Sequence, residues 1–227
     1  MNTFELLSAG STVLKEKKII SFNLDSEILL SKVLKQKRQD ILRNLNKKIH
    51  KKNIIQYYNL INRRSTNEPI AYILEKKEFW SKFFHITKDT LIPRPETELM
   101  VDKLIKKYKY KKDISILDMG TGSGCIIISL LSELNNSYGI GIDISNKAIE
   151  IAKKNAINNG VSSRIKFLNF SFSRYFHKKY DLIVSNPPYI SRREFQCLSE
   201  DIKRFEPRIA LDGGNDGLDL IKKVIYK

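Results

Sequence analysis

Apolar residues in the first third of the chain recur at helical spacing. One expected helix uses Phe4, Leu7 and Val13–Leu14, and a second uses Leu24, Ile28, Leu29, Val33 and Leu34. Asn23 or Asp25 is the expected cap of the second. A third, capped by Asn53, runs through Ile54, Ile55, Tyr58 and Leu60–Ile61. Short amphipathic helices of this kind predict a small bundle over 1–66, with Pro69 marking the end of the helical block. KKEFWSKFFHIT then alternates charge and aromatic about Trp80–Lys82, which predicts a hairpin connector within 67–90. In LIPRPETELMVDKLIKKY, Pro95 suits a first helical turn, and Glu96 and Glu98 suit the positive end of the helix.

From residue 114 the period changes. ISILD (114–118), YGIGID (138–143), RIKFLN (164–169) and YDLIVS (180–185) are short apolar runs without clean alternation. Helical patterns at 123–134 and 146–158 separate them, the second ended by Asn159–Gly160. Strands apolar on both faces, alternating with helices, predict a parallel sheet covered on both sides. The expected class is therefore α/β over 91–227, preceded by the helical bundle and the hairpin.

Composition narrows the setting. The 227 residues carry 41 Lys and Arg against 25 Asp and Glu, a formal charge of +16. Residues 1–64 hold 14 basic and 5 acidic side chains, so the excess is concentrated there. That balance suits an RNA, DNA or acidic protein partner. Equally, Lys-, Asn- and Ile-rich tracts such as LNKKIHKKN reflect a compositional bias with no partner implied. Cys125 and Cys197 have no close spacing, so neither a disulfide framework nor a cysteine-built zinc site is expected, and no metal site is. With no apolar run of membrane length and no signal-like start, the expectation is a cytoplasmic protein without a membrane partner.

The chemistry begins at ILDMGTGSGCIIISL, where Gly120, Gly122 and Gly124 follow a strand and open a helix. Glycines let the backbone approach a ligand, and a helix N-terminus offers N–H donors to a pyrophosphate or an amino-acid carboxylate. Thr121 and Ser123 fall within the same loop. Asp143 ends the next strand, where a carboxylate can accept from both hydroxyls of a ribose. A tight strand–helix turn without a ligand is the alternative. The G-x-G-x-G spacing, without a P-loop lysine, resembles the Rossmann-like S-adenosylmethionine-dependent methyltransferases.

YDLIVS runs directly into Asn186-Pro187-Pro188-Tyr189. Two prolines stiffen the backbone and remove its donors, leaving the Asn186 side-chain carbonyl and the Pro187 carbonyl as acceptors. A planar NH2 group can donate one hydrogen to each, against a flat wall supplied by Tyr189. Asn186, Pro187 and Tyr189 are the candidate catalytic residues, and Pro188 completes the substrate grip. Held in this way, a poorly nucleophilic nitrogen reacts through positioning, so His50, His85 and His177 are not needed as catalysts.

The two motifs together resemble the amino-methyltransferases. IPRPETELMV (92–101) and RFEPRIALDGGNDGLDLI (204–221) resemble signatures of the protein-(glutamine-N5) methyltransferases that act on peptide chain release factors. That resemblance implies S-adenosylmethionine held by Gly120, Thr121, Gly122, Ser123, Gly124, Asp143 and Asn186. It also implies that Phe172 stacks on the adenine, with Ser171 at a position that is acidic in the family. Asn186–Tyr189 would grip the glutamine of a Gly-Gly-Gln motif, with residues 1–66 docking the release factor. A monomer with no stable nucleic-acid partner is expected. Arg94 and Glu96 lie in a matching motif, with no role assigned. Alternatives are an adenine or guanine amino-methyltransferase, an enzyme acting on a ribosomal-protein glutamine, or a remnant that binds without turnover.

Four strands are legible where the family has seven, in the order 3-2-1-4-5-7-6, and the sequence ends within the helical pattern DGLDLIKKVIYK. The expectation is a methyltransferase domain short of its C-terminal strands, either a fragment or a degraded gene product, with YDLIVS at an edge.

Overall fold

The computed structural model describes residues 1–171 and 179–225. The chain divides into two compact units, Met1–Leu74 and Glu75–Lys227.

The first unit is helical: α1 (Thr3–Glu16), α2 (Phe22–Leu34), α3 (Arg38–Arg43), α4 (Lys51–Ser65) and α5 (Ile70–Leu74). Asn2 caps α1 in a reciprocal pair with Glu5, satisfying two backbone donors that a helix start leaves open. The core gathers Leu6, Leu14, Leu29, Leu30, Tyr57, Ile61 and Ile73. Several expectations shift here. Phe4, Leu24 and Ile55 are exposed, whereas Leu6, Leu30 and Tyr57 are fully buried. The caps of α2 and α4 are Ser21 and His50, not Asn23, Asp25 or Asn53. Asp25 instead lies inside α2, where it accepts from Ser21 Oγ (2.8 Å) and pairs with Arg64 (2.6 Å). Pro69 does not end the helical block: its carbonyl accepts from Tyr72 and Ile73 and opens α5, whose Ile73 joins the core. The bundle therefore extends to Leu74 rather than 66.

The second unit opens with an antiparallel hairpin, β1 (Lys76–Phe79) and β2 (Lys82–His85). Trp80 and Ser81 form its two-residue turn, both at positive φ, the backbone that matches strand twist. Trp80 then fixes the hairpin to two helices of this unit, α6 (Pro95–Tyr108) and α7 (Cys125–Glu133). Its amide donates to Glu98 Oε1 (3.0 Å) and its indole to Glu133 Oε1 (3.2 Å). As the sequence predicts, Pro95 occupies the first turn of α6.

Behind the hairpin lies a parallel sheet of β3 (Ser115–Met119), β4 (Tyr138–Asp143), β5 (Ile165–Asn169) and β6 (Leu182–Ser185). Their order is β5-β4-β3-β6. α7 links β3 to β4, and α8 (Asn146–Asn158) follows β4. Ile116, Ile127, Ile142 and Ala152 are fully buried between sheet and helices. Among the described residues β6 is an edge, with Ile183 half exposed. The remaining helices are α9 (Arg192–Cys197), α10 (Glu200–Phe205) and α11 (Asp219–Ile225). No helix among the described residues is long and apolar enough to cross a membrane.

In the helical unit, Gly10 leaves room for Tyr57, whose hydroxyl pairs with Ser26 Oγ at 2.6 Å. Burial pushes that phenol up to about 12. A Cβ at Gly10 would stand 1.9 Å from Tyr57 Oη. Gly10→Ala is expected to lower stability by about 1–3 kcal/mol through displacement of Tyr57, measured by chemical denaturation.

Candidate active site

β3 delivers the chain into the glycine loop. Gly120, Gly122 and Gly124 take φ of +75°, +54° and +79°, a region closed to most side chains. The first two face open space, since a Cβ at either would meet nothing within 4 Å. Gly124 serves packing instead, because a Cβ there would approach Ile128 to 2.8 Å. The loop is drawn over the end of β4: the amides of Gly120 and Thr121 both donate to Ile142 O at 2.9 Å. Asp143 then grips it from the next position. Its Oδ2 accepts from Gly122 N and its Oδ1 from Ser145 N, each at 2.9 Å. Burial raises the Asp143 pKa against these stabilising N–H bonds. Each carboxylate oxygen keeps a lone pair, and Asp143 borders the cleft.

Two supports of this loop were not foreseen. Asp118, on β3, is fully buried and accepts from Thr121 Oγ1 at 2.7 Å through Oδ2, while Oδ1 has no hydrogen-bond partner among the described residues. Desolvation, with Asp143 nearby, pushes its pKa up to about 7. Asn155, on α8, is also fully buried. Its Oδ1 accepts from His85 N (2.7 Å), and its Nδ2 donates to His85 O and Ser123 O (both 2.9 Å). One side chain thus joins the hairpin to the glycine loop. Cys125 opens α7, and burial pushes its thiol up to about 12, so it remains protonated and unsuited to covalent catalysis.

β6 pairs with β3 so that Ser185 lies opposite Met119, and Ser185 Oγ donates to Met119 O at 2.7 Å. The register sets the start of Asn186-Pro187-Pro188-Tyr189 beside the start of the glycine loop. Beyond the motif, Ile190 N donates to Leu211 O (3.1 Å) and Gly213 N to Ile190 O (2.9 Å), which fixes the outgoing chain. Among the described residues no hydrogen bond engages the Asn186 side chain or the Pro187 carbonyl. Tyr189 is 59% exposed.

Two adjoining cavities result. The first is lined by Gly120–Ser123, Asp143, Ile144, Ser171, Asn186 and Pro188. The second is lined by Asn186, Pro187, Tyr189, Glu96 and Met100, among others. Leu91, Arg94, Thr97, Asn186 and Ala210 border both. The structure therefore brings together the glycine loop, Asp143 and Asn186–Tyr189. Phe172 and His177 lie outside the described residues. His85 is occupied structurally, with Nδ1 3.1 Å from Glu75 O. Arg94, left without a role by sequence reasoning, pairs through Nη2 with Glu206 Oε1 at 2.5 Å.

A parallel sheet with an open glycine loop, an acid at the end of β4 and a proline-stiffened corner after β6 defines an S-adenosylmethionine-dependent methyltransferase. Comparisons with known proteins then place the chain. Family models described as PrmC N-terminal domain and methyltransferase small domain match residues 5–74 and 95–204. A relative in Buchnera aphidicola subsp. Schizaphis graminum, named release factor glutamine methyltransferase, is 44% identical over 89% of this chain and 73% of its own. One of the same name in Clostridium botulinum is 38% identical, covering 97% of this chain and 79% of its own. The chain belongs to the release factor glutamine methyltransferase family. Among solved structures, the hMettl16 catalytic domain in complex with MAT2A 3'UTR hairpin 6 aligns with TM-score 0.52 and 19% identity. It covers 81% of this chain and 66% of that one, a likeness of fold.

The cofactor is S-adenosylmethionine, and the residues present fit it. The first cavity combines the open faces of Gly120 and Gly122, the amide-rich start of α7, spare acceptor capacity on Asp143 and the half-exposed apolar side chain of Ile144.

Two outcomes are expected. The native Asp118 holds its proton to about pH 7, whereas the unfolded carboxyl releases it near 3.8. Wild-type stability therefore falls, relative to Asp118→Asn, as pH rises from about 4 to about 7. Above that window the gap is constant, at most a few kcal/mol; denaturant titrations across pH read it. Asn155→Ala should weaken S-adenosylmethionine binding by about tenfold through loss of the Ser123 anchor, measured by calorimetry.

Proposed function

We propose that this chain transfers a methyl group from S-adenosylmethionine to the side-chain amide nitrogen (N5) of the glutamine in the Gly-Gly-Gln motif of peptide chain release factors, tuning translation termination. The observation that carries the reading is the position of Asn186. It borders both cavities, and among the described residues its carboxamide and the neighbouring Pro187 carbonyl make no hydrogen bond. The relatives' shared name supports the substrate.

S-adenosylmethionine, when bound, supplies an electrophilic methyl carbon on a sulfonium. The protein's residues do the rest. Gly120–Ser123 and Asp143 hold the cofactor along the first cavity. Asn186 Oδ1 and Pro187 O each take one N–H of the substrate carboxamide, which turns the face of the nitrogen toward the methyl. Tyr189 and Pro188 wall the amide plane. The amide lone pair is delocalised, so the rate comes from holding the reacting atoms in line rather than from a base. Once bonded to carbon the nitrogen is acidic, and its proton leaves to water.

In this reading the helical bundle at the N-terminus docks the release factor, and the reaction belongs to the cytoplasm. In this reading the enzyme acts as a monomer. Nucleic acid is not the substrate in this reading, despite the charge of +16.

Asn186→Ala is expected to reduce methyl transfer by at least about 100-fold while S-adenosylmethionine affinity stays within about threefold. Labelled donor offered in parallel to release factor and to nucleic acid checks both claims. Label in nucleic acid alone, or unchanged turnover by the variant, would contradict them.

A further inference from the structure

A carboxamide has two ends. Asn186 and Pro187 provide acceptors for its NH2, but its carbonyl oxygen, once enclosed, needs a donor or costs the full desolvation penalty of an unpaired polar atom. The oxygen is also the more electron-rich end of an amide, and so competes with nitrogen for an electrophilic carbon. A site that methylates nitrogen has reason to hold that oxygen on a donor away from the methyl.

Donors on the wall of the second cavity are few. Ser185 spends its hydroxyl on Met119 O, and Tyr189 lies largely in solvent. Arg94 and Thr97, at the start of α6, border both cavities, as Asn186 does. Of these, Arg94 carries the charge and five N–H donors. It is also held. Nη2 donates to Glu206 Oε1, while Glu206 Oε2 accepts from Ile92 N at 3.3 Å. The Glu206 side chain is 1% exposed against 33% for Arg94, so the anion is sunk behind the cation; among the described residues the other guanidinium donors make no hydrogen bond, and Arg94 lines both cavities. Removing such a buried partner would strand a charge, which makes the pair costly to break. It ties the segment before α6 to the one after α10, two stretches that the sequence marks without a chemical reason.

We propose that Arg94, oriented by Glu206, receives the carbonyl oxygen of the substrate carboxamide and thereby directs transfer to nitrogen. The inference rests on the glutamine reading above. In the step itself, the nitrogen–carbon bond forms as the carbon–sulfur bond breaks and the sulfonium becomes a neutral thioether. The nitrogen then gives its proton to water, and the oxygen stays on Arg94 throughout. Arg94 is thus a substrate-binding residue and Glu206 a positioning residue.

The test uses the full chain with intact release factor and labelled S-adenosylmethionine. Arg94→Ala and Arg94→Gln should each lower kcat/KM for release factor by about 100-fold. Arg94→Lys should recover about tenfold of that loss, since a point charge restores attraction but not the fork. Calorimetric affinity for S-adenosylmethionine should stay within about threefold in all three. Glu206→Gln, which keeps an acceptor, should retain more activity than Glu206→Ala at equal thermal stability. Affinity for the cofactor falling in step with turnover would assign Arg94 to the first cavity and overturn the proposal. So would wild-type kcat/KM in Arg94→Ala, or equal loss in the Lys and Ala variants. A wild-type chain that labels no release-factor glutamine would instead remove the functional reading, and this inference with it.

Discussion

The site depends on the register between β3 and β6. Parallel pairing sets Met119 opposite Ser185, and the Ser185 hydroxyl locks the last rung onto Met119 O at 2.7 Å. The next residue on one strand is Gly120 and on the other Asn186. Loop and corner therefore leave the sheet side by side at its carboxyl edge, where parallel sheets place their crevices. A slip of one residue would turn Val184 outward and Ile183 inward, and would separate the two motifs along the strand axis. Burial of Leu182 and Val184 against exposure of Ile183 makes that slip expensive.

From this register the chemistry follows with little further machinery. Proline at 187 and 188 removes two backbone donors at the place where the proposed substrate NH2 would find its acceptors, and stiffens the corner that presents them. On the other wall the loop is clamped from three directions: by Ile142 O, by the Asp143 carboxylate and by Asn155 through Ser123 O. Such bracing suits a reaction whose rate comes from orientation, where small displacements are costly. Asp118 Oδ1, without a hydrogen-bond partner among the described residues, is the local price in stability.

What the sequence reveals of this arrangement is local. α8 begins and ends where its pattern predicts, at Asn146 and Asn158, and β4 spans YGIGID. Both follow from contiguous periodicity and end signals. The glycine loop and Asn186–Tyr189 are legible because each carries its chemistry within a few residues. Faces of the N-terminal helices are harder, since Phe4 and Leu6 fit adjacent stripes on one helix and tertiary packing alone selects Leu6. Pro69 reads as a terminator, although proline is equally at home opening a helix. The supports of the site are illegible for a different reason. Asn155 meets His85 across 70 positions, and Arg94 meets Glu206 across 112, with no periodic signal connecting either pair.

In the proposed mechanism one cleft presents a methyl donor and a carboxamide to each other across Asn186. A crystal structure of the chain with S-adenosylhomocysteine and a Gly-Gly-Gln peptide tests it most directly. The expected result is the cofactor along Gly120–Ser123 and Asp143, with the glutamine nitrogen within hydrogen-bond distance of both Asn186 Oδ1 and Pro187 O and facing the sulfur. A cofactor bound away from the glycine loop, or a glutamine whose nitrogen reaches neither oxygen, would contradict it.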